Sequence, residues 1–123
     1  MRAMKAGRRS LAVLIALVLL ASAAMQWWRQ GAEQRTGQRL ATLAQPGDIR
    51  MLSSETCVYC NAARRWMAEH RVRFDECFIE RDAACQAVYD ATQARGAPTL
   101  LVRGQVQLGF DAARVLAVLE GRA

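Results

Sequence analysis

Cys57 and Cys60, within Ser54-Glu55-Thr56-Cys57-Val58-Tyr59-Cys60-Asn61, are the residues whose types and spacing best suit chemistry in this 123-residue chain. Two thiols separated by two residues can close a small disulfide ring and reopen it, or present two thiolates to a metal. Two further cysteines, Cys77 and Cys85, and a single histidine, His70, are the only other thiol and imidazole side chains. The chain has no Gly-rich phosphate loop, no Ser/His/Asp set and no paired-carboxylate signal.

The flanking segments decide what the pair can do. Ile49-Arg50-Met51-Leu52 is short and apolar enough for a strand, and Asn61 to His70 has no Gly or Pro and is rich in helix formers. Cys57 therefore falls at a strand-to-helix corner. There it meets the unpaired N–H groups of the first helical turn, whose partial positive charge favours thiolate over thiol. Its pKa is expected to fall below that of a free thiol, as suits a nucleophile in disulfide exchange. Cys60, one turn on, is expected to be the more buried, resolving thiol. On spacing alone, a structural disulfide and half of a zinc site remain open as alternatives.

Charge separates the chain into parts. Residues 1–47 carry seven Lys and Arg against Glu33, while residues 48–123 carry ten Arg and ten acidic groups. The whole net charge of +6 thus lies in the N-terminal part, and a neutral domain without a basic stripe excludes nucleic acid as a partner. Met1 to Ser10 is basic, and Leu11 to Met25 is apolar apart from Ser22, the pattern of a bacterial export signal. Cleavage near Ala23, in Ala21-Ser22-Ala23, would release a soluble periplasmic protein. If residues 11–28 stay attached, they form a single-pass inner-membrane anchor about 27 Å long, with Trp27 and Trp28 at the interface and the basic segment inside. The expected partition is residues 1–28 as signal sequence or signal anchor, 29–47 as a polar linker that is a tether or a marginal helix, and 48–121 as the folded domain.

Within that domain, residues 72–79 read as a strand. Asp82 reads as the N-cap of a helix through Arg95, with Ala84, Val88 and Ala91 on one face and Gly96 closing it. Thr99 to Val102 and Gln105 to Leu108 form a hairpin about Arg103-Gly104, and Asp111 caps a final helix ended by Gly121. The expected fold class is α/β, a β-α-β-α-β-β-α sandwich preceded by a hydrophobic helix.

Over residues 49–119 this pattern resembles the thioredoxin superfamily and, within it, the glutaredoxin branch. Cys57-Val-Tyr-Cys60 is similar to that branch's Cys-Pro-Tyr-Cys. Ala97-Pro98-Thr99 resembles its cis-proline loop, and Leu108-Gly109-Phe110-Asp111 its Gly-Gly-aromatic-Asp turn. The resemblance implies a thioredoxin-like, glutaredoxin-type fold and thiol-disulfide oxidoreductase activity. It assigns Cys57 as nucleophile, Cys60 as resolving thiol, and Tyr59, Ala97, Pro98 and Asp111 as the substrate-binding set. It also implies a cis Pro98 that turns the Ala97 backbone outward to pair with a substrate chain.

Departures from the branch bear on the partner. Ser54 stands where glutathione-using members carry Lys, Glu55 adds negative charge, and Ala112 replaces the second acidic residue of the last turn. These changes weaken a site for an anionic tripeptide. Glutathione use is therefore doubtful, no cofactor is expected beyond the dithiol itself, and protein thiols and disulfides are the expected partners, with a membrane electron donor as a possible source of electrons. Outside the cytoplasm, Cys77 and Cys85 are expected to bridge the second strand to the second helix, though two buried unpaired thiols also fit. The alternatives to an enzyme are a Cu or Zn module built on the dithiol and a non-catalytic adaptor of the same fold.

Overall fold

The computed structural model describes residues 2–122, so Met1, where the signal or anchor segment begins, and Ala123 lie outside the described residues. The elements are α1 (Arg2–Leu43), β1 (Ile49–Ser53), α2 (Val58–Glu69), β2 (Asp75–Phe78), α3 (Ala83–Thr92), β3 (Thr99–Val102), β4 (Gln105–Leu108) and α4 (Ala112–Leu119). The chain divides into two compact units that meet between Glu33 and Gln34.

The first unit is helical throughout its described length. Leu11, Leu14, Leu17, Val18 and Leu20 are all exposed, as are Trp27 and Trp28 at 80% and 73%. The segment is long and apolar enough to cross a membrane, a property that signal sequences share.

The second unit is built on a four-stranded mixed sheet in the order β2-β1-β3-β4. β1 pairs in parallel with β2, Leu52 facing Cys77, because α2 carries the chain back to the starting edge. β3 lies antiparallel to β1, with Met51 opposite Leu100, and β4 returns beside β3. The β3–β4 connection is the two-residue Arg103-Gly104 turn, with φ of 47° and 82°. Such a turn matches strand twist and needs left-handed backbone at both positions, which explains the Gly.

The core gathers Met51, Leu100 and Val102 of the sheet, Ala63 and Met67 of α2, and Val115 and Leu119 of α4. Leu40 and Ala44 belong to the same cluster, at 0% and 2% exposure. The stretch expected as a polar linker over 29–47 is thus helical to Leu43, and the packing of the domain begins ahead of Asp48. Within its single apolar patch, Leu40 is fully buried and Leu43 half-buried against the core, and Ala44 beyond it is buried as well.

Three further details differ from the sequence-based expectation. β2 is confined to Asp75–Phe78, because Val72 is drawn into the core where its N–H closes α2 on the Met67 carbonyl, 2.9 Å. α3 stops at Thr92, three residues short of the expected end, since Gln93 adopts φ 56° and Thr92 Oγ1 donates to the Tyr89 carbonyl. Its inward face is Cys85 with the half-buried Val88, Tyr89 and Thr92; Ala84 and Ala91 are exposed. Asp82 does cap this helix, accepting from the amides of Ala84 and Cys85 at 2.9 and 3.3 Å.

Candidate active site

The strand-to-helix corner is assembled by the capping of α2. Cys57 occupies the N-cap with extended backbone (φ −87°, ψ 108°), and its Sγ accepts from the Cys60 amide at 3.0 Å. A sulfur in the place of a capping oxygen receives one of the orphan N–H groups of the first turn. Negative charge on it is stabilised by that bond and by the helix dipole. Cys57 and Cys60 are joined as a disulfide with Cα atoms 5.2 Å apart. Cys57 is half-buried, Cys60 has no exposed surface, and the side chains between them, Val58 and Tyr59, are 74% and 77% exposed. One sulfur is reachable from outside and the other is shielded.

Beside the dithiol turn lies a groove of about 430 Å³, lined by Tyr59, Trp66, Ala97, Pro98, Gly109 and Phe110 among others, none of them charged. Three parts of the fold converge there. α2 contributes Tyr59 and Trp66, the loop before β3 contributes Ala97 and Pro98, and the turn before α4 contributes Gly109 and Phe110. The Ala97–Pro98 peptide bond is cis. Trp66 stands against Phe110 with ring centroids 5.3 Å apart.

Of the residues the sequence nominated, Tyr59, Ala97 and Pro98 share this groove. Asp111 is placed otherwise: its Oδ1 accepts from the amides of Ala113 and Arg114 at 3.0 and 3.3 Å, so its carboxylate caps α4. Trp66, which the sequence did not nominate, is a half-buried wall of the groove. The signal for it was available, since Tyr59, Ala63 and Trp66 fall on one helical stripe.

Electrostatics around the corner come from two networks. Beneath α2, Arg64 grips Glu76 with Nε to Oε1 at 2.8 Å and Nη2 to Oε2 at 2.6 Å, and Ser53 Oγ donates to Glu76 at 2.7 Å. Burial pushes the Glu76 carboxyl up, but the hydrogen bonds from Arg64 and Ser53 and the guanidinium charge outweigh it, and its pKa is held below the ordinary glutamate value. In front of Cys57, Glu80 accepts from Ser54 Oγ and from the Glu55 amide, and Arg81 pairs with Glu55. The Ser54 hydrogen bond, with help from the Glu55 amide and Arg81, holds the Glu80 carboxyl low as well.

Cys77 at β2 and Cys85 at α3 are joined as a second disulfide, Cα atoms 6.0 Å apart. Among the described residues no three His, Cys, Asp or Glu side chains converge as a metal cluster would require.

The glutaredoxin family model matches residues 49–107, which hold the dithiol, the Pro98 loop and the whole sheet apart from its last residue. The folded domain is glutaredoxin-like. Solved structures similar to it include the thioredoxin-like protein BC3987, 25% identical over 58% of this chain and 97% of that one, with a TM-score of 0.48. A glutaredoxin from Methanosarcina mazei Go1 is 21% identical over 59% of this chain and 78% of its own, TM-score 0.49. A buckwheat glutaredoxin solved with glutathione is 16% identical, covering 73% and 84%, TM-score 0.47. No curated protein matches the sequence. The glutaredoxin-like domain thus carries a thiol redox fold with Cys57 and Cys60 at its Cys-x-x-Cys position.

Proposed function

We propose that the chain is a thiol:disulfide oxidoreductase that acts on protein disulfides and dithiols in the periplasm. The observation that carries this reading is the asymmetry of the dithiol: Cys57 Sγ lies on the Cys60 amide at 3.0 Å at an accessible helix start, and Cys60 is sealed beneath it. In the reducing direction, the Cys57 thiolate attacks one sulfur of a substrate disulfide. That S–S bond breaks, the other substrate sulfur leaves as thiolate, and a mixed disulfide forms. Cys60, deprotonated, then attacks Cys57 Sγ and releases the second substrate thiol. Two electrons have passed to the substrate and the Cys57–Cys60 bond is closed. A two-electron dithiol donor in the membrane reopens it. Run backward, the same steps oxidise a substrate dithiol.

An uncharged groove favours an apolar segment of a protein substrate over an anionic tripeptide. With Ser54 and Glu55 before the dithiol and Asp111 committed to its own helix, glutathione is not the obligate partner. The paired Trp27 and Trp28 at the end of the apolar run, both exposed, favour retention of residues 11–28 as an anchor, with the domain outside the cytoplasm. A reading as a Cu or Zn carrier would rest on two sulfurs alone.

The test uses the full chain in detergent micelles, with Cys57→Ser and Cys60→Ser variants. C57S is expected to abolish reduction of a protein disulfide, and C60S to accumulate the mixed disulfide. Exchange that survives C57S would overturn the reading. An alkaline phosphatase fused after Ala123 is expected to be active in a bacterial host, and an inactive fusion would place the domain inside.

A further inference from the structure

The loop between β2 and α3 reaches across to the segment that leads into Cys57. Glu80 accepts from both the Ser54 hydroxyl and the Glu55 amide, the latter at 3.2 Å. Arg81, its neighbour, pairs with the Glu55 carboxylate and lies over the Phe78 ring at 4.6 Å. The Ile79 amide donates to the Ser53 carbonyl at 2.9 Å, which extends the β1–β2 pairing into the loop. The Ser54 carbonyl in turn accepts from the Cys57 amide at 3.2 Å. A continuous set of hydrogen bonds therefore runs from Glu80 through Ser54 to the backbone of Cys57. The loop itself is confined, since Cys77 and Cys85, on either side of Glu80, are bonded to each other. Closing so short a ring removes most of the loop's alternative conformations.

We propose that Glu80 is a positioning residue for the Cys57 nucleophile, acting through Ser54 and Glu55. This rests on the reading of Cys57 as the attacking thiol. The two-point acceptance fixes the approach of the chain to the N-cap, and the N-cap backbone aims Sγ at the Cys60 amide. When the support is removed, that bond lengthens or tilts and the thiolate loses its donor. The charged groups around the corner are Glu55, Glu80 and Arg81 in front of Cys57 and the Arg64–Glu76 pair beneath α2. A purely electrostatic role for Glu80 has the opposite sign, because an anion near a thiolate disfavours it.

The opposite signs make the test decisive. In the full chain carrying Cys60→Ser, in detergent micelles, Cys57 is a free thiol while Cys77 and Cys85 stay bonded, and the Cys60 amide survives as that of the serine. The rate of Cys57 alkylation by iodoacetamide is followed from pH 4 to 10. Glu80→Ala is expected to slow alkylation at pH 7 about threefold, the size of a partial loss of one hydrogen bond, and to move the profile to higher pH. Glu80→Gln sheds the charge, keeps one acceptor oxygen for the Glu55 amide and offers its side-chain N–H to the Ser54 hydroxyl oxygen, so both contacts persist, and it is expected to restore the rate to at least the unsubstituted value. Ser54→Ala removes one of the two donors, is expected to slow the reaction by a smaller factor, and serves alone if E80A does not fold. The proposal is overturned by faster alkylation in both Glu80 variants, by equal slowing in both, or by no change in E80A and S54A. If Cys57 with Glu80 intact alkylates at pH 7 no faster than free cysteine, it is the nucleophile reading that fails. Fast alkylation indifferent to Glu80 sinks only the positioning role.

Discussion

Gly37 offers a test of how the end of α1 is built into the folded unit. A Cβ added there would lie 2.1 Å from His70 Cδ2, 2.6 Å from Cγ and 2.9 Å from Cβ, well inside contact distance. His70 cannot simply turn aside. Its ring stacks on Trp66 with centroids 4.0 Å apart and planes at 26°, and its Nδ1 lies 2.9 Å from the Trp66 carbonyl oxygen. Two effects compete in Gly37→Ala. Helix propensity favours Ala by about 1 kcal/mol. Overpacking against a held side chain costs about 1 to 3 kcal/mol, and displacing the imidazole from its hydrogen bond adds about 1 kcal/mol. The steric cost wins, and G37A is expected to destabilise the unit by about 1 to 3 kcal/mol. That is a fall in Tm of about 5 to 20 °C for a unit of this size. Thermal unfolding of the full chain in detergent, followed by tryptophan fluorescence and near-ultraviolet dichroism, measures it. In a His70→Gly background all three contacting atoms are gone, only propensity is left, and G37A is expected to raise Tm. A rise in Tm with His70 in place would refute the packing argument.

Three other contacts carry expectations of their own. Glu76→Gln is expected to lower stability most above about pH 5 to 6: a carboxyl whose folded pKa lies below the ordinary value of about 4.3 contributes stability above that value and loses it as pH falls through the folded pKa. The gap between wild type and E76Q should therefore narrow in acid, and a gap that widens below pH 4 would contradict the Arg64 pairing. A chain begun at Asp48 lacks Leu40 and Ala44, and urea titration is expected to find it about 3 kcal/mol or more less stable than one begun at Gln34, the cost of emptying a leucine site in the core; equal midpoints would remove the end of α1 from the core. Asp111→Ala removes the cap of α4 and is expected to cost about 1 kcal/mol, read as a Tm shift, and an unchanged Tm would show that the capping bonds carry no weight.

Local chemistry was legible in the sequence where it is carried by spacing. Cys57 and Cys60 mark the corner because a strand-like stretch precedes them and an unbroken helix-forming stretch follows, and Arg103-Gly104 marks the hairpin because few residues accept that turn. The four strands and their order in the chain were readable for the same reason. What escaped were pairings between segments distant in sequence. Leu40 looks like an isolated apolar patch in a polar linker, and nothing local shows that the core has a gap for it. Glu80 and Ser54 are 26 residues apart, ordinary surface types in two separate loops, and only the parallel pairing of β1 with β2 brings those loops together. The inward face of α3 was misjudged because alanine periodicity is a weak signal, whereas the bond from Cys85 to Cys77 fixes which side of that helix meets the sheet.

The most direct test of the central claim is equilibration of the full chain with graded glutathione and dithiothreitol redox buffers, followed by alkylation and mass measurement of the peptide that holds Cys57 and Cys60. A single two-electron couple is expected at this pair, within the span of about −120 to −270 mV covered by exchange-active dithiols of this kind, and it is expected to disappear in C57S. A value near the lower end assigns the protein to reduction and one near the upper end to oxidation. If Cys57 and Cys60 show no reversible two-electron couple in that span, they are not an exchange centre, and the functional reading falls.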